Sequence, residues 1–524
     1  MRDLYHEILR PASEALPNAT ALVSHGEGGA ALTFRELNEE TGLLARSLER
    51  IGVREGARVA VIGPNSIGFV STVFAAARLG AAVIPIAPIL RPPEVAKVLG
   101  VCEPQLVLLS NLLPKDAVQA VRSACGGVPT GVFSRGEADL VFGGAAAVPD
   151  GLTPEGTAAI VFTAGTTGTP KGVVLTSENL VSNTRSAAKV FDAVQVPPEG
   201  KVFSAVLPFF HSFGLTTCVL LPIALGATAV LFSAFNPRVL FAALNECRVG
   251  FLLLVPEMYR ALNLLAAAVG LDAGLSERPV PSLRVCVSGG SALPPTVAAE
   301  FERRFGVPIH QGYGVTETSP VLSVSDLCMP PIPACSGSPI PDVELAVVDQ
   351  DLREVAVGTD GELAAAGPNI AWGYFRMPEL TADRFRELSL SGRPKRRYYL
   401  TGDLACLDEA GRVYIKGRTD DLIVVNGMNV YPAEIANVLA SFPGCMEVVV
   451  GRVASEKHGQ EPAAVMVLAE GAEATEDEVR SFAARMLAPH KVPARVLFVE
   501  EILKNSLQKP MVKEMLLSLG LPAC

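Results

Sequence analysis

Between two apolar runs, residues 163–172 read TAGTTGTPKG: four threonines, three glycines, one proline and one lysine in ten positions. Glycines at 165, 168 and 172 permit close backbone approach, and successive N–H groups in such a loop form a concavity that suits an anion. The hydroxyls of Thr163, Thr166, Thr167 and Thr169 add neutral donors, and Lys171 adds a point charge. Phosphate is the guest this chemistry fits. The spacing is not that of a GxxxxGK[ST] loop, because counting from Gly165 the second glycine falls due at Pro170. The bland alternative is a decorated surface hairpin.

A strand over 157–163 and a second apolar run over 173–175 must hold this loop, with Thr176 or Ser177 capping the helix that follows. The same rhythm recurs elsewhere. ARVAVIG (57–63) is a strand, GFVSTVFAAARLG (68–80) a helix ended by glycine, and AAVIPI, KVFSAVL, GFLLLV and LRVCVSG are further short apolar runs. Alternation of this kind predicts layered α/β subdomains with buried, mostly parallel strands. Beyond about Gly337 short runs are divided by Asp-Gly-type turns, which predicts a small barrel-like β piece. The basic run RPKRRYYL precedes a TGD triplet. The charged, turn-like KGRTDD (416–421) predicts a linker. The expected organisation is a large N-terminal domain over 1–419 and a small, mobile α+β C-terminal domain over 420–524.

The 524 residues are 49% hydrophobic and 19% charged, a globular balance, and the formal charge of −10 argues against a general nucleic-acid-binding surface. Ten scattered cysteines without zinc spacing, behind an N-terminus without a long apolar core, suggest a reducing, cytoplasmic setting. Twenty uncharged residues, FGLTTCVLLPIALGATAVLF (213–232), have the length of a membrane span. Pro222 and Gly226 divide them into an expected buried helix over 213–221 and a strand over 228–232, leaving at most peripheral membrane contact.

TAGTTGTPKGV (163–173) resembles the phosphate loop of the adenylate-forming enzymes, which include acyl- and aryl-CoA ligases, amino-acid adenylation domains and beetle luciferases. The resemblance continues in order through LTFRELNE (32–39), GYGVTET (312–318), YYLTGD (398–403), GRTDDLIVVNGMNVYPAEI (417–435) and NSLQKP (505–510). It implies that ATP activates a carboxylate as acyl-AMP and that a thiol then displaces AMP. It further implies that Tyr313, between Gly312 and Gly314, stacks on adenine, that Thr316 contacts phosphate and that Glu317 holds Mg²⁺. Asp403 would take the ribose hydroxyls, Arg418 would support the nucleotide, Asp420 would be the hinge, and Gly427 would leave room for a pantetheine arm. Lys509 would bridge carboxylate and α-phosphate. The sequence departs from the common pattern at Ala164, Thr169, Leu503 and Gln508, where serine, lysine, proline and glycine are usual.

PFFHSFG (208–214) and VSGGSALP (287–294) resemble the walls of the acyl site. His211 stands at a strand's carboxyl end, where α/β proteins bind ligands. Gly289 and Gly290 would let adenine and acyl chain pass closely. Neither wall offers an acid for an ammonium group, which disfavours amino acids. The expected reaction is ligation of an apolar acid, fatty or aryl, to coenzyme A, with a separate acyl carrier protein as the alternative acceptor.

Overall fold

Two large sheets, parallel at their centres, form the body of the protein in the computed structural model, which describes residues 3–25, 29–142, 150–163, 170–196, 200–271, 278–390, 392–426, 428–455, 457–504 and 510–524. The first has nine strands among the described residues, running from Ser338–Pro339 through Val321–Val324, Ile309–Gly314, Val285–Ser288, Phe251–Leu254, Val202–Ala205, Thr228–Leu231 and Thr20–Ser24 to Ala31–Thr33. The second has eight, from Gly373–Tyr374 through Lys171–Thr176, Thr157–Thr163, Ala82–Ile86, Arg58–Ile62, Leu106–Ser110 and Thr130–Phe133 to Ala138–Phe142. The central pairs are parallel and the edge pairs antiparallel. Central strands such as Arg58–Ile62 and Ala82–Ile86 are buried throughout, because helices cover both faces.

The helices begin where the side chains dictate. Thr176, one of the two expected caps, accepts from Asn179 N at 3.2 Å, and Asn179 Oδ1 accepts from Thr176 N at 2.9 Å, closing both ends of a capping box on Ser177–Asp192. The uncharged segment departs from its expected boundary. A short helix, Ser212–Gly214, runs through a π-helical turn, Leu215–Leu220, into Leu221–Ala224, so Pro222 does not end it. The wider turn keeps the proline ring off the preceding carbonyls, and Pro222 sits at the start of the last helical piece, where its missing N–H costs little. The segment is buried in the core, and no helix among the described residues is long and apolar enough to cross a membrane.

The expected barrel-like piece is a five-stranded antiparallel sheet built around one twelve-residue strand, Arg396–Leu407. Two of the four cations in its basic run are paired in place: Arg393 and Arg396 each reach Glu344 at 3.1 Å, while Arg397 donates to the carbonyls of Ala371 and Trp372. Half of the expected linker proves to be strand. Lys416, Gly417 and Arg418 end the strand Val413–Arg418, with Arg418 paired to Asp403 and Gly417 to Leu404, so only the turn after Arg418 remains as a connection. Beyond it a fourth, five-stranded sheet and the helices Pro432–Leu439 and Glu476–Ala484 enclose their own apolar core around Ile423, Ile435, Met466 and Val479.

Arg58 is fully buried within its strand. Its guanidinium donates to both oxygens of Asp150 at 2.7 and 2.6 Å and to the carbonyls of Cys102 and Glu103. This tethers the approach to the strand Thr157–Thr163. The guanidinium holds the Asp150 carboxyl down from 3.8 to about 2. A depressed carboxyl stabilises the fold above its unfolded pKa, and that stability disappears as pH falls through the folded value. The stability difference between wild type and Asp150→Asn, measured by urea unfolding, is expected to be about 1 kcal/mol at pH 7, because solvent screens the exposed carboxylate, and to shrink between about pH 4 and pH 2.

Candidate active site

Hydrogen bonds join the end of the strand Ile309–Gly314 and the strand Gly373–Tyr374 to the five-stranded sheet, and several of the side chains singled out from the sequence meet at that junction. Tyr313 lies on Ile309–Gly314 and donates its hydroxyl to Asp403 Oδ2 at 2.5 Å. Arg418 Nη1 donates to the other oxygen, Oδ1, at 3.0 Å. Asp403 is buried, and its amide donates to Thr401 Oγ1, whose hydroxyl is fixed on Leu363 O. Burial, and then the neighbouring Asp403 charge, push the Tyr313 hydroxyl well above the ordinary tyrosine range, so it stays a donor. Tyr313, Asp403 and Arg418 therefore form one bonded chain centred on a carboxylate.

A second chain begins at Glu317, in the short turn Thr316–Thr318. Tyr374 donates to Glu317 Oε1 at 2.8 Å, and Tyr399 lies 3.4 Å from the Tyr374 hydroxyl. Tyr399 belongs to the same strand as Asp403, so the two chains share a backbone. Tyr374 also pairs with Val173 across the sheet, which ties Glu317 to the strand that starts at Lys171. Thr163 and Lys171 are paired at the mouth of the loop. The loop itself, with Gly165, Thr166, Thr167, Gly168 and Thr169, lies outside the described residues, as do Gly427 and Lys509.

The third group is a wall. His211 precedes Ser212–Gly214, and its carbonyl accepts from Leu215 N at 2.8 Å. Ser212 Oγ lies 3.1 Å from Thr316 Oγ1, which joins this turn to the Glu317 turn. A Cβ placed on Gly289 would stand 3.0 Å from the Phe213 ring and 3.4 Å from Gly312 O. Glycine at 289 is thus what lets the tip of the Phe213 ring approach the end of the strand Val285–Ser288. Gly314 answers to packing as well: a Cβ there would meet Pro320 O at 2.0 Å.

Sequence reasoning missed Tyr374, Tyr399 and Ser212. Tyr374 stands in AWGYF, a run of aromatics whose only signal is aromatic content, and its partner is 57 residues away. Ser212 does lie within PFFHSFG, directly after His211, and adjacency was the available signal.

The model of the AMP-binding enzyme family matches residues 9–375, and that of the AMP-binding enzyme C-terminal domain matches residues 434–509. A feruloyl-CoA synthase from Amycolatopsis sp is 32% identical over 487 residues, covering 93% of each chain. A long-chain-fatty-acid--CoA ligase from Bacillus subtilis (strain 168) is 28% identical, covering 97% of this chain and 93% of that one. The crystal structure of ATP-bound MatB from Rhodopseudomonas palustris superposes with a TM-score of 0.82 at 26% identity, over 98% of both chains.

The two glycine contacts predict different costs. Gly314→Ala forces backbone apart and is expected to lose about 2 kcal/mol of unfolding free energy in chemical denaturation. Gly289→Ala asks only a side-chain ring to shift and is expected to lose less than about 1 kcal/mol.

Proposed function

The chain belongs to the AMP-binding enzyme family, and from that premise we propose that it activates an apolar carboxylic acid with ATP and passes the acyl group to coenzyme A. A carboxylate oxygen attacks the α-phosphorus, the bond to pyrophosphate breaks, and acyl-AMP forms. The CoA sulfur then attacks the acyl carbon, the bond to AMP breaks, and the thiol proton is released.

The observation that carries this reading is the meeting of a nucleotide-type site with an uncharged wall. Asp403 presents a buried carboxylate suited to two vicinal hydroxyls, beside the ring of Tyr313 and the charge of Arg418. The wall of Phe213 and Gly289 stands one turn from Thr316. Thr316, Lys171 and the loop of residues 163–169 are proposed to hold the phosphates, and Lys509 to bridge carboxylate and α-phosphate, with His211 at the acyl side. Attraction and alignment of the two anions then supply most of the rate.

Glu317 is the proposed Mg²⁺ ligand. Only its Oε1 takes the Tyr374 hydroxyl, and among the described residues no cluster of three metal-ligating side chains accompanies it. A single carboxylate fits Mg²⁺, which keeps waters and takes its other ligands from substrate phosphates. The bound ion would neutralise phosphate charge.

Asp420 is the proposed hinge between a domain ending at residue 419 and one starting at 420. Thr419 donates both its amide and its hydroxyl to Gly402 O, at 2.8 and 3.0 Å, so the backbone is anchored up to the residue before Asp420. Rotation there would exchange Lys509 for Gly427 between the two half-reactions.

The Phe213 ring against Gly289, together with the 32% identical feruloyl-CoA synthase, favours a second reading in which the acid is aryl and not fatty. A panel of fatty and aryl acids with ATP and Mg²⁺, with and without CoA, decides between them. AMP, pyrophosphate and thioester are measured, and AMP is expected to match thioester when CoA is present. Adenylate without thioester would redirect the acyl group to a carrier protein. Phe213→Ala is expected to shift relative kcat/KM toward bulkier acids by about tenfold. Lys509→Ala is expected to slow adenylation by more than about 100-fold while thioester formation from supplied acyl-AMP persists.

A further inference from the structure

The acyl wall hangs from the opposite sheet by one side chain. Asn65 follows the strand Arg58–Ile62 in the second sheet, and its amide is buried against backbone of the first. Nδ2 donates to Leu207 O at 2.9 Å and to Ala205 O at 3.4 Å, and Oδ1 accepts from Phe209 N at 2.9 Å. Three backbone groups in five consecutive residues are thus fixed by one side chain. Phe69, on the helix after Asn65, backs the same loop with its ring edge against Phe209, centroids 5.8 Å apart.

The loop transmits this placement directly. Pro208 O accepts from His211 N at 3.1 Å, and a Cβ on Gly214 would stand 2.1 Å from the same oxygen. The turn that carries His211, Ser212 and Phe213 is therefore folded tightly onto the carbonyl that lies between two of the groups Asn65 holds. Ser212 then meets Thr316, and Phe213 meets Gly289. An apolar substitute at 65 can neither donate to Leu207 nor accept from Phe209, and a hydroxyl, with a single proton, cannot donate to both Leu207 and Ala205. An unmade bond there leaves buried backbone unpaired.

We propose that Asn65 is a positioning residue for the acid substrate: it sets where the Phe213 wall stands relative to the Thr316 turn, without touching substrate. The inference rests on the reading of Phe213 and Gly289 as the acyl wall. Asn65→Asp, which keeps the acceptor for Phe209 and loses the donor to Leu207, is expected to raise KM for the acid at least tenfold while KM for ATP stays within twofold. Phe69→Leu is expected to raise acid KM by about threefold, again without moving ATP, and gives the answer if the Asp variant does not fold. Asn263→Ala removes another buried amide, bonded to Val297 O at 3.0 Å between the helices Pro256–Ala268 and Pro295–Phe305 and sharing no hydrogen bond with the Leu207–Phe209 loop, and is expected to lower Tm with acid KM unchanged.

An acid KM unmoved in both the folded Asn65→Asp and Phe69→Leu proteins overturns the proposal. So does an acid KM raised equally by Asn263→Ala, or a rise confined to ATP. Phe213→Ala tests the acyl wall separately. A shifted acid preference there, beside a silent Asn65→Asp, would sink only the positioning role.

Discussion

A buried carboxylate with two partners on different elements joins the parts of this site. Asp403 takes a hydroxyl from Tyr313, near the end of the strand Ile309–Gly314 in the nine-stranded sheet, and a guanidinium from Arg418, at the end of the last strand before the C-terminal unit. Neither partner alone would suffice. An ionised carboxylate at this depth is costly unless it is both paired and hydrogen-bonded. Arg418 supplies the charge, and Tyr313, Thr401 and the strand register supply the orientation. Because Tyr313 is neutral and Arg418 half exposed, the triad can admit hydroxyl donors from outside without leaving a buried charge uncompensated.

The remaining parts are attached to that centre by short bonded steps. Glu317 reaches the Asp403 strand through Tyr374 and Tyr399. Its turn is also held from behind, where Asn369 donates to Thr318 O at 2.9 Å and Ser319 donates to Asn369 O at 2.9 Å. The wall reaches the turn through Ser212, and the second sheet reaches the wall through Asn65. Each step is a hydrogen bond from an amide or hydroxyl, so the parts of the site are set by direction-specific bonds.

The layered body was legible because central strands buried on both faces read as unbroken apolar runs, and Arg58–Ile62 and Ala82–Ile86 lie where those runs predicted. The site was legible where chemistry sits in short local patterns. GYG and TGD do meet: GYG ends the strand Ile309–Gly314, TGD lies in the middle of Arg396–Leu407, and Tyr313 bonds Asp403 between them. Tyr374 and Asn65 were not legible, because each acts on a residue far along the chain and carries no local pattern of its own, and Tyr399 stood inside YYLTGD with nothing local to show that it faces Tyr374. Pro222 misled for a different reason: its cost depends on the turn before it, and a π-helical turn is a property of packing that residue type does not encode.

The distribution of charge constrains how the proposed chemistry can run. Around Glu317 the described polar neighbours are neutral hydroxyls: Ser212, Thr316, Tyr374 and Tyr399. Arg418 is already engaged by Asp403, which leaves Lys171 as the cation at the mouth of the loop. A site prepared this way does not attract two further anions strongly by itself. Under the proposed reaction the balance comes from Mg²⁺ entering with ATP and from Lys509 on the C-terminal unit. A ground state held mostly by hydroxyls, with cations added as the reacting groups are assembled, spends little attraction on separate substrates. That arrangement accords with a backbone anchored through Thr419 on Gly402, followed immediately by the residue proposed to turn.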